Sequence, residues 1–420
     1  MRAARPVVYF VLAVVASFGR VRAADPPEPV VHAILERSSP AANDTLKVAP
    51  REVVLTFSGL IDGGGATLRL LGPGGRTWSL EPRREPDTRT LRGALPELAT
   101  GGYRLEWRVI SADGHAMAGD FVFFVRGSAG GSAEAELAPP PASKGAATPE
   151  PRRVSRAQLV VRGFFDLAML PLAGLLLFAG WSRGKTTQLT GRIMRGLAIA
   201  APALALLYTW LWAGDALGPE ARLSGLLSLT TGRALVVESA LALLVPWALF
   251  LARRIEIAVM LSLLAVASGG FGGHPASYTP LLAVPASVLH VTAAAVWVGG
   301  LLMLFTERGS YTYETTARRV SAAAFASVAL VAATGVAQTW AILGSWSLLL
   351  TSSFGLVVLA KVVGLAGLIA FGAHHRLRLV PAAGSSGGAV RLSQSVRGEL
   401  ALAACVIVLA ALLSHIPPTV

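Results

Sequence analysis

Two histidines bracket an unusual stretch of this chain, GGHPASYTPLLAVPASVLHVTAAAVWVGG. His274 follows a Gly-Gly turn, and His290 stands inside a run apolar enough to be buried in a bilayer. Trp297 comes seven residues after His290, which puts the two on one helical face. An imidazole at membrane depth is costly and marks a candidate functional site; the alternative is that His274 is a loop histidine and His290 a hydrogen-bond partner between helices. His415, near the end of the chain, is a third histidine beside an apolar run. The His374–His375 pair lies among arginines and is expected to be a solvated, headgroup-facing end, the alternative being a metal exit site.

A second group of candidate ligands lies far upstream. Asp113 and His115 are separated by a glycine at a predicted turn, so a carboxylate and an imidazole can reach one ion. That donor pair suits Cu(II) or Zn(II), and copper is bound most tightly in the divalent series. A turn-capping aspartate beside an exposed histidine is the simpler alternative. His32 would have to fold beside this turn to join it, which spacing alone does not require.

The elements that must position these groups fall into two classes. Of the 420 residues, 53% are hydrophobic and 15% are charged. Soluble domains carry roughly 25% charged residues, so this composition implies an integral membrane protein. The net charge of +13 is spread between apolar runs, as the positive-inside rule expects, and does not point to nucleic acid. One cysteine, Cys405, excludes an intrachain disulfide and a thiolate cluster.

Residues 1–24 have the form of a secretory signal: Arg2 and Arg5, a short apolar core, then Ala23 and Ala24. Residues 28–126 carry strand patterning. Tyr103, Leu105, Trp107 and Val109 alternate with Arg104, Glu106 and Arg108, which predicts a half-buried strand. Further strands are predicted around Val53–Phe57, Leu68–Leu70 and Phe121–Val125, together a β-sandwich. Residues 127–158 form a Gly/Ala/Pro/Ser linker.

From 159 to 417 eight apolar runs follow, near 162–181, 193–213, 232–252, 255–271, 281–305, 319–343, 353–373 and 397–416. Most approach the ~20 residues that a spanning helix needs; the fourth is short. The expected fold is therefore an all-β sandwich followed by an all-α polytopic bundle of about eight transmembrane helices. Arg253, Arg254, Arg308, Arg318, Arg319, Arg376 and Arg378 would share one side, opposite an exported β-domain. Arg152, Arg153, Arg156 and Arg162 run against that bias but follow the exported domain. The topology puts His274, His290 and His415 toward the compartment of the β-domain.

Ionisable residues inside the runs should be paired. Lys361 is expected near the middle of the seventh helix, with Glu238 and Asp166 as candidate partners, either structural or coupling charges. Glu399 is expected to meet neighbouring arginines. Trp210, Trp212 and Trp340 are expected to anchor at the membrane interface.

The strings HAILERSSPAANDTL from His32, PREVVLTFS from Pro50, and YRLEWRVISADGH ending at His115 resemble the CopC copper-resistance domain. The pieces His290 to Trp297-Val-Gly-Gly, Phe354-Gly to Lys361, and Arg397-Gly-Glu-Leu to Pro417 resemble its partner family, CopD. The whole is similar to a CopC–CopD fusion. This resemblance implies a Greek-key sandwich that holds Cu(II) with His32, Asp113 and His115. It implies a multi-pass protein of the cytoplasmic membrane, with the N-terminal domain on the periplasmic or extracellular side. Cleavage after Ala24 would leave residues ahead of His32, removing a free α-amino ligand. Only Met117 lies near the motif, so no methionine cluster for Cu(I) is expected.

The expected activity is copper capture by the exported domain and transfer to a membrane site of His274, His290 and His415 for import. The membrane potential supplies about 2.3 kcal/mol per charge per 100 mV to an inward cation. The chain has no Walker A sequence, no Asp-Lys-Thr-Gly motif and no Cys-Pro-Cys, which argues against ATP-driven pumping. No catalytic residue is assigned. Expected partners are copper ions, the bilayer and other copper-handling proteins, without nucleic acid. The rival expectations are a copper chaperone, assembly or resistance factor without transport, and a haem-binding membrane redox protein. The histidines fall mostly at helix ends, which counts against axial haem ligation.

Overall fold

A computed structural model describes residues 33–416 except 63, 86–88, 113, 127–154, 183–184, 219–220 and 274–279. The signal sequence, most of the linker, His32, Asp113 and His274 therefore lie outside the described residues. The chain divides into two compact units, one holding the sandwich together with Ala213–Arg233, the other holding the helical bundle.

In the sandwich, β1 (Leu35–Ser39), β3 (Glu52–Phe57), β7 (Thr90–Ala94) and β6 (Pro82–Arg84) form one sheet in the order β1-β3-β7-β6. The other runs β2-β9-β8-β4-β5, from β2 (Thr45–Leu46), β9 (Ala116–Val125), β8 (Gly101–Ile110), β4 (Thr67–Leu71) and β5 (Thr77–Leu80). The four strands read from the sequence are β8, β3, β4 and β9. Alternation makes them: Tyr103, Leu105, Trp107 and Val109 are buried while the residues between them are only partly so. β8 pairs antiparallel with β9 along its whole length, from Gly101–Val125 to Ile110–Ala116. The inner faces of both sheets meet in one core, where the Phe57 ring meets Trp107 edge-on at 5.3 Å. Such a pair adds about 0.5–1.5 kcal/mol beyond its buried area.

Among the described residues the bundle has eight long helices: α1 (Arg156–Trp181), α2 (Gln188–Leu217), α3 (Thr230–Pro246), α4 (Ile255–Ser268), α5 (Pro280–Thr306), α6 (Tyr313–Leu343), α7 (Ser353–His374) and α8 (Ser386–Leu413). Among the described residues seven helical segments are long and apolar enough to cross a membrane; Ile255–Phe271, which contains α4, is shorter. The chain is thus a multi-pass membrane protein, in the pattern of eight runs with a short fourth. α1 begins at Arg156, three residues before the expected start at 159, and the Ser155 hydroxyl caps it by accepting from the Ala157 amide. Ser352 and Ser385 cap α7 and α8 in the same way.

α5 is the hub of the bundle and packs on α1, α4, α6 and α8. Its approach to α1 rests on two glycines. A Cβ on Gly174 would lie 2.0 Å from the Ala295 carbonyl oxygen, and one on Gly299 would lie 2.4 Å from the Gly174 backbone. Small residues let backbones come this close where no hydrophobic effect drives helix association. The outer faces of α6 and α7 leave Phe325, Val336, Val362 and Val363 exposed, a surface suited to lipid.

Gly174→Val should therefore lower the melting temperature of the detergent-solubilised protein by several degrees, as overpacking costs about 1–3 kcal/mol or more. Gly196→Ala, in α2 with open space around it, should melt at or slightly above wild type. Equal melting of the two variants would refute the glycine-controlled crossing.

Candidate metal centres

The turn that carries Gly114 and His115 joins β8 to β9. The Ser111 amide donates to the His115 carbonyl and the Gly114 amide to the Ser111 carbonyl, both at 2.8 Å. Gly114 has φ +88°, a backbone state that favours glycine, and a Cβ there would lie 2.7 Å from Thr231 Oγ1. The glycine before His115 is thus a backbone requirement. His115 is half-buried, and Met117 points into the sandwich core.

One strip of backbone holds this turn and the segment that follows His32. The Ala112 amide donates to the Leu60 carbonyl at 2.8 Å, and Ile61 bridges Ser111. The Ile34 carbonyl accepts from the Ser58 amide at 2.9 Å, and the Ile34 amide donates to Ser58 Oγ at 3.0 Å. Ser58 and Leu60 are two residues apart, about 7 Å along extended chain. Ala33 is fully buried against this strip.

In the bundle, the face at which α1 begins is called proximal. Asp166, Tyr208, Glu238, His290, Thr334 and Lys361 each lie eight to ten residues from the proximal end of their helix. At about 1.5 Å per residue this is one polar layer roughly 12–15 Å deep. Its centre is Arg162, whose Nη1 lies 2.9 Å from Glu238 Oε2 and whose Nε lies 3.1 Å from Asp166 Oδ1. The guanidinium also covers the rings of Phe165 and Tyr208, at 5.1 and 5.4 Å. Gly269 leaves room for this pair: a Cβ there would lie 3.1 Å from Glu238 Oε1.

Two expectations change here. Glu238 and Asp166 were expected to pair with Lys361, but both are ion-paired to Arg162. Lys361 remains close enough for its charge to act on Asp166 and on His290. Arg162, expected as a flanking charge, is the internal cation; its i,i+4 spacing to Asp166 was the available signal.

The histidines take separate partners. His290 Nδ1 and Thr334 Oγ1 on α6 are 3.0 Å apart. His415 Nε2 is 3.5 Å from the Tyr208 hydroxyl on α2, which leads back to Arg162. Among the described residues no group of three or more His, Cys, Asp or Glu side chains is placed to hold a metal ion. His374 is exposed, as expected of a solvated end, but His375 is buried. Glu399, expected to meet arginines, lies against His375 and Trp297. Trp210 and Trp340 are exposed like interface anchors, whereas Trp212 is buried.

Comparison with known proteins matches a part of each unit. The CopC domain model matches residues 35–126, and the model for Copper resistance protein D, CopD, matches residues 314–413. "Copper transport protein CutJ" of Bacillus subtilis (strain 168) is 26% identical over 439 aligned positions, covering 93% of this chain and 75% of that protein. "Protein YobA" of Escherichia coli (strain K12) is 33% identical over 103 residues, 24% of this chain and 83% of its own length. The crystal structure of CopC from Methylosinus trichosporium OB3b is 31% identical over 24% of this chain and 98% of that one, with a TM-score of 0.23.

Arg162→Ala would leave two carboxylates buried without their cation, at a cost of about 3–5 kcal/mol. The variant should melt well below wild type in detergent, and adding Glu238→Gln and Asp166→Asn should restore much of the loss. Wild-type melting of Arg162→Ala alone would contradict the network.

Proposed function

We propose a function from the premise that this chain belongs to the copper-handling CopC and CopD families, whose two domains it carries in one polypeptide. It captures Cu(II) on its β-domain, passes the ion to histidines of the bundle, and lets it cross the membrane. The observation that carries the capture step is the shared 58–62 strip. Ile34, two residues after His32, and Ala112, one residue before Asp113, bond to positions two apart on it. The described neighbours of the proposed ligands, Ile34 and Ala112, thus bond to one short stretch of backbone, which supports the proposed convergence. Imidazole and carboxylate donors without a thioether suit Cu(II) rather than the softer Cu(I). Met117, buried in the core, offers no competing thioether.

In the bundle, His274, His290 and His415 are the receiving imidazoles of this proposal. His290 stands in the polar layer of the hub helix, within hydrogen-bond distance of Thr334. The arginines between the spans orient the chain, with the β-domain and the proximal face outside the cytoplasmic membrane. A linker of the composition of residues 127–154 keeps the captured ion at high effective concentration near the bundle. An inward step then needs no ATP. A second possibility, copper holding or delivery to other proteins without transport, is favoured by one observation: His290 and His415 bond to different helices.

Equilibrium dialysis of Cu(II) against the full-length protein tests the capture step. His115→Ala should remove the tightest equivalent, while His290→Ala should leave it in place. Retention of that equivalent by His115→Ala would overturn the assignment.

A further inference from the structure

The distal half of the bundle holds a polar cluster that the proximal histidines do not explain. His375 opens a π-helical turn, His375–Leu379, at the end of α7. Such turns often mark functional positions in helices. Its ring is buried, and its Nδ1 lies 2.9 Å from Glu399 Oε2 on α8, a residue only 1% exposed. Among the described residues that oxygen accepts no hydrogen bond, and its polar contact is the ion pair with His375. A buried carboxylate oxygen left this way costs free energy, so its retention calls for a reason.

The outer atoms of the pair are both held. Trp297 Nε1 on α5 donates to Glu399 Oε1 at 3.2 Å, and Ser395 Oγ sits 2.8 Å from His375 Nε2. This is how supporting groups orient metal ligands: the far ring nitrogen bonded to an oxygen, the carboxylate fixed by a donor. The spacing of the inner atoms fits as well. Imidazole nitrogen and carboxylate oxygen bind a first-row divalent ion at about 2.0–2.1 Å. Two such ligands at right angles, as in square-planar Cu(II), are about 2.9 Å apart. The pair can take an ion without separating.

We propose that His375 Nδ1 and Glu399 Oε2 form a distal Cu(II) site that receives the ion after the His290 level. This rests on the copper-import reading given above. Trp297 ties the site to the hub helix seven residues from His290, roughly 10 Å along α5. Two protein ligands leave coordination positions open for water, and the ion is held weakly enough to leave, as conduction requires. His374, exposed and with its ring 6.4 Å from that of His375, is the next imidazole toward the distal face.

The test uses the full-length protein carrying His115→Ala, His274→Ala, His290→Ala and His415→Ala, titrated with CuSO4 and read by equilibrium dialysis and Cu(II) electron paramagnetic resonance. One equivalent with nitrogen hyperfine structure should remain. Adding Glu399→Gln, which keeps the acceptor for Trp297, should weaken it by about tenfold or more, as should adding His375→Ala. A purely structural pair would lower the melting temperature of these variants but leave copper binding unchanged, and that result overturns the proposal. Because the capture ligand is already removed, failure here is distinct from failure of the capture step. That earlier step stands or falls on His115→Ala alone.

Discussion

A bilayer does not tolerate a lone charge, and the arrangement of this bundle follows from that constraint. Each ion at the centre of a span costs about 2.5–3.5 kcal/mol on insertion scales. Arg162 brings that cost into α1 and offsets it with Asp166, one turn away, and with Glu238 on α3. Lys361 on α7 supplies a second cation near Asp166. Two carboxylates and two cations leave the layer formally neutral, which suits hydrocarbon. The same pairing fixes the relative height of α1 and α3, and Tyr208 joins α2 to it through its contact with Arg162.

The hub helix turns that constraint into a possible path. α5 can touch four neighbours because glycines at its crossing with α1 bring the backbones together. His290 and Trp297 lie on one stripe of this helix but face different partners, Thr334 on α6 and Glu399 on α8. The stripe therefore links the proximal polar layer to the distal histidine–glutamate pair. Close packing fixes where these groups stand, and their chemistry decides what can pass between them.

Much of this was legible in the sequence, in proportion to how local each signal is. The clean period of two in β8 announced a strand. β6, the exposed edge segment Pro82–Arg84, carries no such alternation and was invisible. The apolar runs gave the spans, including the short fourth. Partners across helices were not legible, because helical spacing says which residues share a face but not what that face meets. Arg162 looked like a flanking charge, and His375 looked solvated beside Arg376 and Arg378. Trp212 looked like an anchor, yet it is buried. In the sandwich, the Asp-Gly-His turn was readable from spacing. The strip that brings the segment after His32 toward that turn is a tertiary fact, set by backbone bonds to Ser58 and Leu60.

The central claim is movement of copper through the bundle after capture outside it. Proteoliposomes of known orientation, loaded externally with radioactive copper and given an inside-negative potential, measure this directly. The account predicts copper accumulating in the lumen, faster as the potential is raised. Copper that stays bound to the protein, with none reaching the lumen at any potential, would contradict it.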